Sequence, residues 1–84
     1  MATLRLFAAA REAAATSVET IDAATVGAVL DDARARHGAH FAAVLDQSGV
    51  WLNGEPTELD ALVGDHDEIA VLPPVSGGSG GYRP

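Results

Sequence analysis

The tightest constraint on the fold of this chain is a change of hydrophobic period near its middle. Val26, Val29, Leu30 and Ala33 fall at i, i+3, i+4 and i+7, one stripe of a helix, while Asp31, Asp32 and Arg34 take the other side. The apolar runs that flank this stripe have the period of strands. Leu4 and Leu6 alternate with Thr3, Arg5 and Phe7 across residues 3–8, and residues 16–21 form a second β-rich run around Val18. Residues 50–52 and 68–72 are short apolar strands later in the chain. A single helical stripe among strand-like runs predicts one helix laid across a sheet. Thr25 suits its N-cap, Arg34 and Arg36 suit the negative end of its dipole, and Gly38 can close it in a left-handed conformation.

The connections complete the expected order. Small residues after the first strand, with Arg11 and Glu12 among them, read as the loop of a long hairpin that pairs the first two strands antiparallel. Phe41, Val44 and Leu45 predict a short helical turn. Asn53 and Gly54 are a turn pair for two positive φ angles, and Leu59 and Leu62 read as apolar anchors of an otherwise polar connection. The order β, β, α, β, β suggests an α+β domain of the β-grasp, or ubiquitin-like, type. Its mixed sheet of four to five strands would carry one main helix on one face. The first and last strands would lie parallel, and the tail would leave from a sheet edge.

Size and charge exclude several functions. A chain of 84 residues makes one small domain that buries about 60–65% of its unfolded surface, with little room for an internal active site. The absence of cysteine removes disulfides, thiolate metal sites and thiol nucleophiles. Twelve acids against five cations give a net charge of −7, which repels nucleic acid and favours a basic protein partner. With no signal peptide and no apolar run near the ~20 residues of a membrane span, a cytoplasmic location is expected. Every cation is arginine. Lysine is absent, which removes internal acceptors for an activated carboxyl terminus; an arginine-biased, alanine-rich composition gives the same count.

The last part of the chain looks made for insertion into another protein. After the strand, Pro73 and Pro74 hold the backbone extended, and Val75, Ser76, Gly77 and Gly78 lead to a thin thread without Cβ atoms at its tip. The domain is therefore expected at 1–75 and a flexible glycine-rich tail at 76–84. Ser79, Gly80 and Gly81 repeat the preceding triplet, so Gly78 and Gly81 are both candidate termini. Position relative to the prolines favours Gly78. Exposing its carboxylate requires removal of residues 79–84; the other reading is a linker-like appendage.

Four groups of residues in order resemble the landmarks of the MoaD/ThiS family of ubiquitin-like sulfur carriers. They are Leu6, Phe7, Ala8, Arg11 and Glu12; Leu52, Asn53 and Gly54; Asp65, Asp67, Glu68 and Ile69; and the segment from Pro73 to Gly78. The first and last look most like the small subunit of molybdopterin synthase. The resemblance implies that an E1-like activating enzyme uses ATP to adenylate the terminal glycine. A sulfur donor, a rhodanese or a cysteine desulfurase, then leaves a thiocarboxylate. It also implies a large synthase subunit into which the tail inserts, a metalloprotease that trims the precursor, no cofactor bound by the chain and no turnover by the chain alone.

Phe7 and Leu72 share a parity away from the helix-covered side, and Trp51 lies opposite Val50 and Leu52. The three are candidates for an exposed partner-binding patch beside the tail, or for residues covered by loops of the same chain. Arg11 is a candidate for pairing with an acid on a partner, or a solvated loop residue. His37 and His40 are three apart without a third ligand, which fits a surface role better than a metal site. Asp65, Asp67 and Glu68 fit a polar turn better than a calcium loop. His66 stands where the family pattern usually has glycine, and a strained left-handed conformation is expected there. Other functions of this fold are a carrier feeding cysteine, thiamine or a natural product, a protein modifier, and a non-catalytic interaction module.

Overall fold

The two strands with the clearest alternation become the centre of the sheet. In the computed structural model, which describes residues 1–73, β1 (Ala2–Leu6) and β5 (Glu68–Leu72) lie side by side and parallel, with Leu4 opposite Ile69 and Leu6 opposite Val71. β2 (Val18–Ile21) pairs antiparallel with β1 as the expected hairpin. β3 (Gly49–Leu52) pairs antiparallel with the other side of β5, and the two-residue β4 (Glu55–Pro56) completes a five-stranded sheet of order β2-β1-β5-β3-β4. This is the β-grasp arrangement. Because β5 is the middle strand, the chain beyond it leaves from the end of the sheet's centre and not from a lateral edge, which corrects that expectation. The expected tail, 76–84 with Gly77, Gly78 and Gly81, and the residues Pro74, Val75 and Ser76 lie outside the described residues.

Among the described residues, the expected main helix is joined by two shorter ones. α2 (Val26–His37) is the predicted helix, and Val26, Val29, Leu30 and Ala33 are all buried. Three of its N-terminal donors have partners outside the helical ladder. Thr25 Oγ1 accepts from the Ala28 N–H at 3.1 Å, the Ala61 carbonyl from Val26 at 3.0 Å, and the Leu59 carbonyl from Gly27 at 2.7 Å. Residues expected as a hairpin loop instead form α1 (Ala8–Ala14). Alanine has the highest helix propensity, and burial of Ala10 at the edge of the core gives the turn a reason to form. The expected short turn at Phe41 extends to an eight-residue helix, α3 (Ala39–Asp46), with Phe41 and Leu45 buried. Gly38 joins α2 to α3 at φ 93° and ψ −173°, a positive φ but not the left-handed helical cap.

The core is one cluster. Leu4, Leu6, Ile69 and Val71 from the sheet meet Val29, Leu30 and Phe41 from the helices. Burial of these side chains is the main stabilising term, at about 1.5–3 kcal/mol each. Leu59 and Leu62 are not anchors of this core. They are 59% and 78% exposed, and the smaller Ala61 and Val63 do the packing. What holds their segment is backbone hydrogen bonding to the start of α2.

Candidate functional site

The site is built where β5 ends. Pro73 is exposed and follows Leu72 directly, so the chain is delivered to the surface from the central strand of the sheet. Leu72 is half-buried and stands opposite Gly49 on β3. Glycine leaves a gap there that the Trp51 indole occupies: a Cβ at residue 49 would sit 3.7 Å from Trp51 Nε1. The indole therefore leans along the open face toward the register position of Leu72, and Trp51 remains 37% exposed. Cross-strand pairing places Val18, Arg5, Ala70, Trp51 and Pro56 in one row over that face, on the side away from the helices.

Phe7 stands at the same end. It follows Leu6, the partner of Val71, and acts as the N-cap residue of α1 with its carbonyl accepting from Ala10 and Arg11. Ala8 next to it has φ 51°, a left-handed angle that turns the chain sharply out of β1 and costs an L-residue about 1–2 kcal/mol. Phe7 is left 41% exposed. Phe7 and Trp51, both partly exposed, and the half-buried Leu72 thus lie on the open face toward the end of β5. Arg11 lies on the exposed side of α1 and makes no ion pair among the described residues. Arg5 pairs with Glu68 across the open face.

The other end of β5 is closed by a polar clamp that pattern reading missed. Asn53, at φ 52° in the β3–β4 turn, accepts from the Glu68 N–H at 2.9 Å and donates to Asp67 Oδ1 at 2.9 Å. Asp67 Oδ2 accepts from the Gly64 N–H at 2.8 Å. The Asn53 hydrogen bond, then the Gly64 N–H, hold the Asp67 carboxyl below its usual range. The Asn-Gly pair followed by an acid ahead of the last strand was the available signal. Asp65 pairs with the Met1 amine, and that hydrogen bond also lowers its pKa. His66 sits in this turn without a positive φ, so the expected left-handed strain is absent.

A second polar cluster joins sheet to helix. Glu19, on the core side of edge strand β2 and 11% exposed at its side chain, pairs with Arg36 and His37 at the end of α2. Burial would raise its pKa, but hydrogen bonds and charges from Arg36 and His37 outweigh that and hold it low. The His37 ring packs against Phe41 at 5.0 Å between centroids. His37 ends α2 and His40 opens α3, so the pair is split between two helices. Among the described residues, no pocket forms, no group of three side chains is placed to hold a metal, and no helix is long and apolar enough to cross a membrane.

A β-grasp sheet that sends its central strand out beside an exposed apolar end defines the class of ubiquitin-like carriers and modifiers, small proteins that act through a partner. The chain belongs to the ThiS family, whose model matches residues 4–78. No curated protein matches the sequence. Among solved structures, it is similar to the small archaeal modifier protein SAMP1 of Haloferax volcanii, at 34% identity over 92% of this chain and 98% of that chain, with a TM-score of 0.77. A Pyrococcus furiosus protein ascribed to molybdopterin converting factor as subunit 1 is 25% identical over 88% of this chain and 97% of its own, with a TM-score of 0.78. A chain of the BexX/CysO complex of Amycolatopsis orientalis is 26% identical over 93% of this chain and 100% of its own, with a TM-score of 0.75.

Proposed function

We propose that this chain carries sulfur as a thiocarboxylate on Gly78 and donates it as the small subunit of molybdopterin synthase. The observation that carries the reading is that the family match runs unbroken from β1 through the prolines to residue 78. It is supported by the exit of the chain from the central strand beside Phe7, Leu72 and Trp51. The likeness to the Pyrococcus furiosus protein supports the molybdopterin assignment, and the likeness to the CysO-complex chain supports a carrier for another pathway.

In this reading residues 79–84 are removed by a metalloprotease, and the open face docks on an E1-like enzyme. ATP is bound there and not by this chain. A carboxylate oxygen of Gly78 attacks the α-phosphorus of ATP and pyrophosphate leaves; a sulfur donor then displaces AMP at the acyl carbon. Gly77 and Gly78 suit this because an unhindered carbonyl can be approached from either face. Pro73 and Pro74 favour an extended backbone, Val75 and Ser76 continue the inserted thread, and an extended run from Pro73 to Gly78 would span about 20 Å at ~3.3 Å per residue, enough to reach a buried site in the large subunit. There the thiocarboxylate sulfur bonds to a carbon of a cyclic pyranopterin monophosphate, displacing an oxygen, and water then cleaves the acyl–sulfur bond so that the sulfur stays on the pterin and Gly78 returns to a carboxylate. All of this takes place in the cytoplasm, without metal, nucleic acid or membrane bound by the carrier.

Similarity to a modifier protein at 34% identity favours a second reading, in which the activated glycine is joined to amines of other proteins. Intact mass of the untagged protein recovered from its own cells tests the carrier reading. A chain ending at Gly78 with one oxygen replaced by sulfur supports it; the same change at Gly81 moves the reacting carbon and keeps the mechanism. A chain that always ends at Pro84 and never carries sulfur overturns it. Sulfur transfer to the pterin by the large subunit separates the first reading from the second, which predicts ATP-dependent isopeptide adducts.

A further inference from the structure

The connection from β4 to β5 departs from what packing alone would produce. It exposes its largest apolar side chains, Leu59 and Leu62, more than Phe7 or Trp51 are exposed. It does so on a fixed backbone. The Leu59 carbonyl accepts from Gly27, Ala61 from Val26, the Val63 N–H donates to Ala24, and Leu62 bridges to Thr25. Both leucines are therefore presented at the first turn of α2. A Cβ on Gly27 would come within 3.1 Å of the Leu59 carbonyl, so the segment lies hard against the helix.

The charge around these leucines is one-sided. Glu55, Glu58 and Asp60 are exposed and have no ion-pair partner among the described residues. No arginine or lysine lies between Arg36 and Arg83. The start of α2 is also at the opposite end of the sheet from the tail exit, because Ile21 pairs with Ala2 and Thr3 pairs with Glu68 at the beginning of β5.

We infer that the segment around Leu59 and Leu62 is a second docking surface, which takes a protein partner whose contact surface is apolar with a basic rim. A second copy of this chain is a poor occupant, since each copy carries −7. A partner held here leaves Phe7, Trp51 and Leu72 free, so the two ends of the domain can be engaged at once. This goes beyond the sulfur-carrier reading and does not depend on it.

The test is a titration of the isotope-labelled 84-residue chain with a synthetic amphipathic helical peptide, leucine on one face and arginine on the other, followed by amide shifts. Saturable shifts centred on residues 55–63 and 25–28 are expected. Leu59→Ser with Leu62→Ser should weaken binding more than about tenfold, by removal of two leucines that the partner would cover, while Phe7→Ser with Trp51→Ser changes it less than about twofold. Glu58→Gln with Asp60→Asn, surface changes that leave the backbone anchors in place, should weaken binding and flatten its salt dependence. Shifts centred on Phe7, Trp51 and Leu72, equal loss in both serine variants, or no saturable shift overturns the inference.

Discussion

At its first residues β5 is tied on several sides, whereas at its last it is left open. Glu68 is held by Asn53, Asp67 by Asn53 and Gly64, and Asp65 by the Met1 amine, so the start of the strand spends its polar groups on the protein itself. Leu72 at the other end faces a glycine and a half-exposed indole, beside an exposed phenylalanine and a left-handed alanine. One end is finished for stability and the other for contact. In the proposed function the thread that enters a partner needs an anchor that does not move, and the closed end would supply it. The difference teaches that one five-residue strand can be closed at one end and open at the other because Ile69 and Val71 between them are locked in the core.

The comparison can be broken most forcefully in that middle. Ile69→Ala should cost about 2–5 kcal/mol in chemical denaturation and weaken docking of either end by unfolding the domain. Phe7→Ser with Trp51→Ser should lower affinity for the activating enzyme more than about tenfold, as two apolar contacts worth ~1.5 kcal/mol or more each are lost. Its unfolding midpoint should move little, which titration calorimetry and a urea melt together would check. At the closed end the opposite split is expected. Asn53→Gly keeps the positive φ and removes the hydrogen bonds to Glu68 and Asp67; it should cost about 1–2 kcal/mol and leave affinity for the enzyme unchanged.

Acid should act first on the closed end and on the Glu19 cluster. Both Asp67 and Glu19 have folded-state values below their unfolded ones. Their contribution is therefore complete above the ordinary carboxylate range and lost as pH falls through the depressed values. Asp67→Asn should flatten the acid limb of stability against pH, measured by urea midpoints from about pH 7 to about pH 3. The smallest effect sharpens the open end. Ala8→Gly relieves φ 51° and should stabilise by about 0.5–1 kcal/mol, the left-handed penalty less the entropy glycine loses. A melt checks this, and faster amide exchange at Phe7 should accompany it.

Much of the fold was legible because period alone separates strand from helix. Leu4 and Leu6, the four-residue stripe on α2, the Thr25 cap and the Asn53-Gly54 turn are all where their local chemistry puts them. Residues 8–14 were not legible as a helix, since alanine fits a loop of small residues as well as a helix until Ala10 has a core to enter. Leu59 and Leu62 misled for a related reason: hydrophobicity predicts burial on average, but backbone bonds to α2 fix which way this segment faces. Of the candidate site, Phe7, Trp51 and Leu72 were legible from strand parity. The filling of the Gly49 gap by the indole and the polar clamp at Asn53 were not, because each joins residues far apart in the chain.

The sequence by itself determined the main helix and four of the strands, the core side of β1 and β5, the net charge of −7, and the order of prolines then glycines after β5. Those are set by period, composition and backbone sterics, which act over a few residues. The tertiary structure alone decided that the exit strand sits at the centre of the sheet, that one of its ends is clamped and the other open, and that two leucines are held out at the start of α2. Those depend on which strands pair and in what register, and pairing brings together residues whose contact no local rule can specify.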